Sequence, residues 1–376
     1  MKKRDSPEIF SPCEKSRIIK SGLKREAGVV IMGSRGSLKT MNPASGAIIM
    51  AIGIFLFAPI DAFPFLHHVL GGVLAVGLAL IGLNIYQGLT RQFFDRNFLI
   101  PFLKNPVNSF TMGTWIAGMS VICNVLVKYY PSITLVVQII AGVNTVLWLL
   151  FLVSCGYNFK QLVARPTSHA THGVVLLSTV ATQSIVIVWV NLFPFFPDVL
   201  INVVMGLGFI FYLCGFILIA VRYGKETEWT LADHWTNTNC IIHGALSISG
   251  LALVTANIGT PLFLMIFWLI VFGLLLVIET IEVTRAVKRV HRLGWRKGLF
   301  TYNISQWSRN FTFGMFYAFS MTMHNNPHYM NVLYNFHEKF LAIWAWIVLI
   351  VLIAEIVLWA DSKWSLFGGK MKEKAI

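Results

Sequence analysis

Apolar residues run along the chain in ten long blocks, at about 42–61, 68–87, 108–127, 134–153, 171–190, 201–220, 238–257, 261–280, 308–327 and 340–359. Each block is long enough for one membrane crossing, because a helix rising ~1.5 Å per residue needs roughly 20 residues to traverse the hydrocarbon core. Pro64, Pro131, Pro194, Pro197, Pro261 and Pro327 fall between or at the edges of blocks, where a missing N–H and a fixed φ break regular structure. The pattern predicts an all-α polytopic membrane protein of ten spans. A basic tail occupies 1–40, the membrane domain 41–361 and a second tail 362–376.

The blocks are not alike. Counting Gly, Ser, Thr, Asn, Gln and His, blocks three, five, seven and nine hold 8, 8, 9 and 9, and their successors hold 5, 4, 2 and 0. Lipid tolerates Leu, Ile, Val and Phe and penalises unsatisfied polar groups. The alternation predicts helical hairpins, each pairing a polar inner helix with an apolar outer one. The odd helices then face a shared polar lumen. The first pair departs from the rule, since Gly71, Gly72, Gly77 and Gly82 crowd block two; those glycines suit a close helix–helix face. Small polar residues also serve plain helix packing, and for any single Ser or Gly that use suffices.

Composition strengthens the membrane reading. The 376 residues are 56% hydrophobic and only 12% charged, about half the charged share of an average soluble domain. The net charge of +14 raises nucleic acid as a partner, but its distribution points elsewhere. With ten spans, 28 of the 30 Lys and Arg fall on one side and only Lys128 and Lys339 on the other. Such a split follows the positive-inside rule and predicts cytoplasmic N- and C-termini. Lipid bilayer, rather than nucleic acid, is therefore the expected surroundings. No compact apolar core follows the basic residues of positions 2–25, so no signal peptide is read there. A bacterial inner (plasma) membrane fits those features. The tail suits either contact with anionic lipid or simple solvation.

Candidate chemistry is sparse. Five cysteines form no CxxC pair, which argues against a disulfide framework or a metal site. No GxSxG and no Gly-rich phosphate loop occurs, so no enzyme activity and no cofactor are expected. His172, His243 and His324 fall in odd blocks. They raise a membrane haem protein as a competing class, though without a matched pair of axial ligands. The odd blocks carry no interior acid. Glu279 and Glu282 sit at the inner end of block eight, and Glu355 in the inner third of block ten. Cation and proton carriers commonly hold an intramembrane carboxylate, so its absence favours anions. The neutral donors Ser120, Asn124, Thr179, Thr182, Gln183, His243, Ser247, Ser249 and Thr255 are the candidate lumen lining, since hydroxyls and amides can partly replace an ion's hydration. A proton-coupled dicarboxylate carrier, titrating at His172 or His243, is the competing transport reading.

Three segments carry a resemblance. They are NPASGAIIMAIGIF at 42–55, NCIIHGALSISGLA at 239–252 and QWSRNFTFGMF at 306–316, the last with Trp307, Phe311, Gly314 and Met315. Together with the ten-helix plan they resemble the tellurite-resistance/dicarboxylate transporter family of the slow anion channel superfamily, over about residues 42–360. The resemblance implies five inner helices around a pore, five outer helices, commonly a homotrimer with one pore per subunit, and a small anion as substrate. It also implies a Phe gate on the ninth helix, at Phe311 with Phe313 as the neighbouring alternative. An apolar ring can block ions by dewetting the constriction. The chain departs from the family in two respects. Thr312 stands where relatives often carry Pro, and the odd blocks lack interior prolines. Gly53, Gly118, Gly250 and Gly314 are the candidates for helix bends in their place.

Overall fold

A computed structural model describes residues 41–226, 230–329 and 334–374, with side chains described through residue 364. The tail 1–40 lies outside the described residues. The described chain is helical, with no strand among these residues. Ten helices dominate: α1 (Gly46–Phe57), α2 (Gly71–Phe93), α3 (Gly113–Tyr129), α4 (Thr134–Ala164), α5 (Leu177–Leu192), α6 (Asp198–Lys225), α7 (Ile241–Thr255), α8 (Pro261–Gly298), α9 (Trp307–Asn325) and α10 (Tyr334–Lys374). Eight of the helical segments are long and apolar enough to cross a membrane, and α1 with its leader is apolar but shorter. This makes the protein an integral, multi-pass membrane protein.

Burial divides the helices sharply. The most apolar windows of α3, α5 and α7 are 83–94% buried inside the protein, whereas those of α2, α4, α6, α8 and α10 are 28–39% buried. Leu80, Val136, Val203, Leu276 and Ile350 on the even helices are exposed. A water-soluble protein would not leave so continuous an apolar surface uncovered; lipid accepts it. Most of α1 and α9 is buried as well. These five enclosed helices pack in cyclic order, α1 on α3, α3 on α5, α5 on α7, α7 on α9 and α9 back on α1. Outside them α2 lies against α1 and α3, α4 against α3 and α5, α6 against α5 and α7, α8 against α7, and α10 against α9 and α1.

The odd helices share one local design at their amino ends. Each is entered through a short 3-10 turn, at Pro43–Ser45, Asn108–Met112, Gly173–Leu176, Asn237–Cys240 and Ile304–Gln306. These five leaders also touch in cyclic order. Asn side chains serve several of them. The Asn42 oxygen accepts from Ala44 N, Asn105 accepts from Val107 N and Asn108 N, and Asn303 accepts from Ser305 N. Asn239 reaches across to accept from Gly173 N at 2.9 Å. Side-chain oxygens satisfy the free N–H groups that a helix start leaves over.

The glycines expected as bends lie inside continuous helix instead, at points of close approach. A Cβ on Gly53 would come within 2.4 Å of Val121, on Gly118 within 2.9 Å of the Tyr86 hydroxyl, on Gly250 within 2.5 Å of the Phe319 ring and on Gly314 within 2.6 Å of Ile54. Three of these contacts join neighbours of the ring, so the lost side chain buys proximity, not flexibility. Block two behaves similarly. Gly71, Gly72 and Gly82 meet Tyr129, Tyr130 and Ile122 of the α3 region, but Gly77 faces open space. Among the described residues, the non-helical backbone inside a helix is at Gly294 of α8, with φ 77°, a left-handed value that glycine tolerates. The residues after 362, read from sequence as a tail, continue α10 in helical form to Lys374.

Candidate functional site

The ring encloses a small part-open recess, with room for about one or two water molecules, and every enclosed helix contributes to its wall: Ile54 and Phe57 from α1, Ser120, Val121 and Asn124 from α3, Ser184 and Ile187 from α5, Ile248 and Leu251 from α7, and Met315 from α9. These residues lie in the middle and carboxyl halves of their helices. Their spacings of three or four keep each set on one helical face.

The surface of the recess is almost entirely apolar, and its polar residues Ser120, Asn124 and Ser184 sit in a hydrogen-bond network that leaves donors over. Asn144 of α4 donates from Nδ2 to Ser120 Oγ at 2.9 Å and to Ile116 O at 3.0 Å. Ser184 Oγ lies 2.7 Å from Ala181 O and 3.1 Å from Ser120 Oγ. A serine has one proton to give, and the shorter bond to Ala181 O takes that of Ser184. The Ser120 proton is then free to turn toward Ser184 or into the recess. Asn124 donates from Nδ2 to Ser120 O at 2.9 Å, and its Oδ1 accepts from Asn191 at 2.7 Å. Its acceptor is occupied while a second N–H remains. The remaining wall is apolar, and no Lys, Arg, Asp or Glu lines the recess. Near the α1 end of the wall, Lys128 Nζ donates to Phe57 O at 2.8 Å and to Asp61 Oδ1 at 2.6 Å. A cation there offsets the partial negative charge of a helix carboxyl end.

The faces of α9 separate the two candidate gate residues. Met315 lines the recess, and Phe311, one turn earlier on the same face, is 1% exposed. Thr312 is turned to Gly244 of α7 and Gly314 to Ile54 of α1. Phe313 points away, with ring contacts to Trp344 at 5.2 Å and His243 at 6.4 Å. Phe316 joins Trp268, Phe272 and Phe340 outside the ring. Phe311 thus continues the recess-facing stripe toward the amino end, and Phe313 does not.

The other sequence candidates divide. Ser120 and Asn124 line the recess. Thr182 accepts from Trp148 Nε1 on α4 at 3.1 Å, and Gln183 donates to Met205 O on α6 at 3.1 Å, so both face outer helices. Ser247 and Ser249 return their protons to His243 O and Ala245 O of their own helix. The Thr179 hydroxyl is buried without a partner, and Thr255 is half-buried at the end of α7. Ser184, which lines the recess, and Asn144, which donates to Ser120, were not among the candidates. Their sequence signal is weak, because a count of polar residues says nothing of which face they take.

A second cluster lies at the amino end, among α7, α8 and α9. Arg309 of α9 places Nη2 2.6 Å from Glu282 Oε2 and Nε 3.4 Å from Glu279 Oε2. Glu282 also accepts from Trp235 Nε1 at 2.7 Å and pairs with Arg285 at 3.5 Å. His243 of α7 is fully buried, 3.9 Å from Glu279 Oε1, and neither ring nitrogen has a hydrogen-bond partner. Arg309, one of the 28 cations counted on the cytoplasmic side, sits in the helix, ion-paired to two carboxylates. The i, i+3 pair Glu279 and Glu282 was the available signal, since it puts two acids on one helical face.

Comparison with known proteins adds no assignment: no family model matches the chain, and no curated protein matches it.

Proposed function

We propose that the protein moves small anions across a membrane along the axis of the five-helix ring, with Phe311 closing the path. In this reading the ten helices cross as five hairpins, odd helices inward and even helices outward, with both termini cytoplasmic as the charge split requires. A plasma (bacterial inner) membrane follows the features of the N-terminal stretch, and a homotrimer with one path per subunit follows the family resemblance. The observation that carries the reading is the recess itself: all five enclosed helices build it, its surface is almost entirely apolar, and its few polar residues include Ser120 and Asn124, whose O–H and second N–H stay free while their acceptor atoms are engaged. Spare donors without an acidic group suit an anion and leave a cation without ligands.

The same wall favours singly charged anions over dicarboxylates. No Lys or Arg side chain lines it, and the cost of stripping water from an ion rises with the square of its charge. A proton-coupled dicarboxylate carrier on the same fold would show substrate-driven proton uptake, which a passive anion route lacks.

The test is Phe311→Ala in proteoliposomes, read as chloride or nitrate efflux at matched protein density. Removing the ring opens the axis, and we expect flux at least tenfold above wild type. Phe313→Ala, which empties a space outside the ring, is expected to leave flux unchanged. Correctly folded Phe311→Ala protein without increased flux would remove the gate assignment.

A further inference from the structure

Resting on that reading, we infer that His243, Glu279 and Arg309 form a proton-operated latch on the gate: a proton taken up between His243 and Glu279 loosens Arg309 and frees the turn that carries Phe311. Three observations converge on these residues.

The first is an imbalance between the two carboxylates. Glu282 is well held, by Arg309, Arg285 and Trp235. Glu279 has only Arg309, at 3.4 Å, and its Oε1 is buried without a hydrogen-bond partner. The second is the histidine facing that oxygen. At 3.9 Å the two atoms are too far apart to share a hydrogen bond, yet both are enclosed. Unpaired buried polar atoms are costly, and one proton would satisfy both, by making a charged imidazole beside a carboxylate. The third is the mechanical link. Arg309 precedes Phe311 by two residues on α9, and a Cβ on Gly244, next to His243, would lie 2.1 Å from Thr312. A shift at His243 therefore meets the gate turn directly.

The sign follows from the charges. With His243 neutral, Glu279 is committed to Arg309 and holds the start of α9 against α8. With His243 protonated, Glu279 is shared between two cations, and the imidazolium repels the guanidinium. Both effects weaken the hold on α9. The groups facing the site are Glu279, Glu282 and Arg285 from α8, Arg309 from α9, Cys240 before α7, and Glu355 from α10, which acts on Arg309 through space. Glu282 stays engaged in either state, so the latch loosens without the helices parting.

The experiment measures anion efflux from proteoliposomes against pH on the Arg309 face, with Phe311→Ala as the open reference. Wild type should rise toward that reference on acidification, by up to tenfold per pH unit as expected for one proton. His243→Gln should be flat with pH and low. Glu279→Gln should be flat and high, because Arg309 has lost its looser partner. A second arm reads proton binding without transport: histidine ring NMR in nanodiscs, with the His243 signal assigned by its loss in His243→Gln. Replacing Glu279 with Gln should move that titration to lower pH. A full acid response in His243→Gln, a low flux in folded Glu279→Gln, or a His243 titration indifferent to Glu279→Gln would each overturn the latch. No flux in the Phe311→Ala reference would instead overturn the anion reading, while the NMR arm still judges the coupling of the pair.

Discussion

Toward the carboxyl end of the ring, the five helices surround a small recess bounded by neutral side chains. At the amino end the same helices touch through their 3-10 leaders, and a cluster of two arginines, two glutamates and a histidine ties α7, α8 and α9 together. One end is bounded by neutral side chains, the other held by charge. A neutral wall changes only when a side chain turns. An ionic hold changes when a proton or a competing charge arrives, and that lets a closed helix bundle respond to its surroundings.

The largest effect that tests this contrast is on stability. Arg309→Ala leaves Glu279 and Glu282 enclosed without their shared cation, and breaking a buried pair from one side costs about 3 kcal/mol; thermal unfolding in detergent should show a clear drop in midpoint, with Arg309→Lys recovering part of it. No loss would mean the cluster is well hydrated and holds nothing. Next comes Gly244→Val. Its Cβ would lie 2.1 Å from Thr312, and overpacking of this kind costs ~1–3 kcal/mol. Gly77→Ala, with nothing within 4 Å of the added atom, should be neutral by the same assay.

Third is Ser120→Ala at the neutral end. Losing one donor worth about 1.4 kcal/mol lowers anion flux about tenfold. Ser249→Ala should leave flux alone, because that hydroxyl is bonded to Ala245 O of its own helix. Equal losses in both would mean that hydroxyl content, not its direction, matters. The smallest effect is outside the membrane part. The hydrogen bond from Arg292 holds the Asp233 carboxyl down to about 2. A group lowered in the folded state contributes stability above its unfolded value of about 3.9 and loses it as pH falls through the folded value. Protection factors of the amides over 231–234, with intrinsic exchange divided out, should therefore be unchanged from pH 7 to 5 and fall only toward pH 2–3. Asp233→Asn should lower them between pH 7 and 5.

Much of the architecture is legible in one dimension, because lipid imposes length and hydropathy on each segment. Every apolar block coincides with a helix, and the polar odd blocks are the enclosed ones. The ends are less legible. The even helices α4, α6, α8 and α10 run well past their apolar blocks, since nothing in hydropathy stops a helix where it leaves the hydrocarbon. Direction around a helix is less legible still. Thr182 and Gln183 count as polar in block five yet turn to α4 and α6, while Ser184 beside them faces the recess. The glycines of blocks one, three, seven and nine signal a special backbone need, but sequence does not distinguish a bend from a close contact. Arg309 was hidden because a tally of cations by loop cannot tell a solvated charge from one neutralised by carboxylates on another helix.

The length of α8 carries one more consequence. From Pro261 to the break at Gly294 it rises about 50 Å, well beyond the roughly 30 Å thickness of a bilayer's hydrocarbon core. Glu279 and Glu282 lie near its midpoint, and the first departure from helical geometry is at Gly294. Between them runs unbroken helix of about three to four turns, bearing Lys288, Arg289 and Arg292 at its far end. The carboxylates that grip Arg309 are thus reachable by leverage: a force on that protruding shaft arrives at the grip with no joint to absorb it.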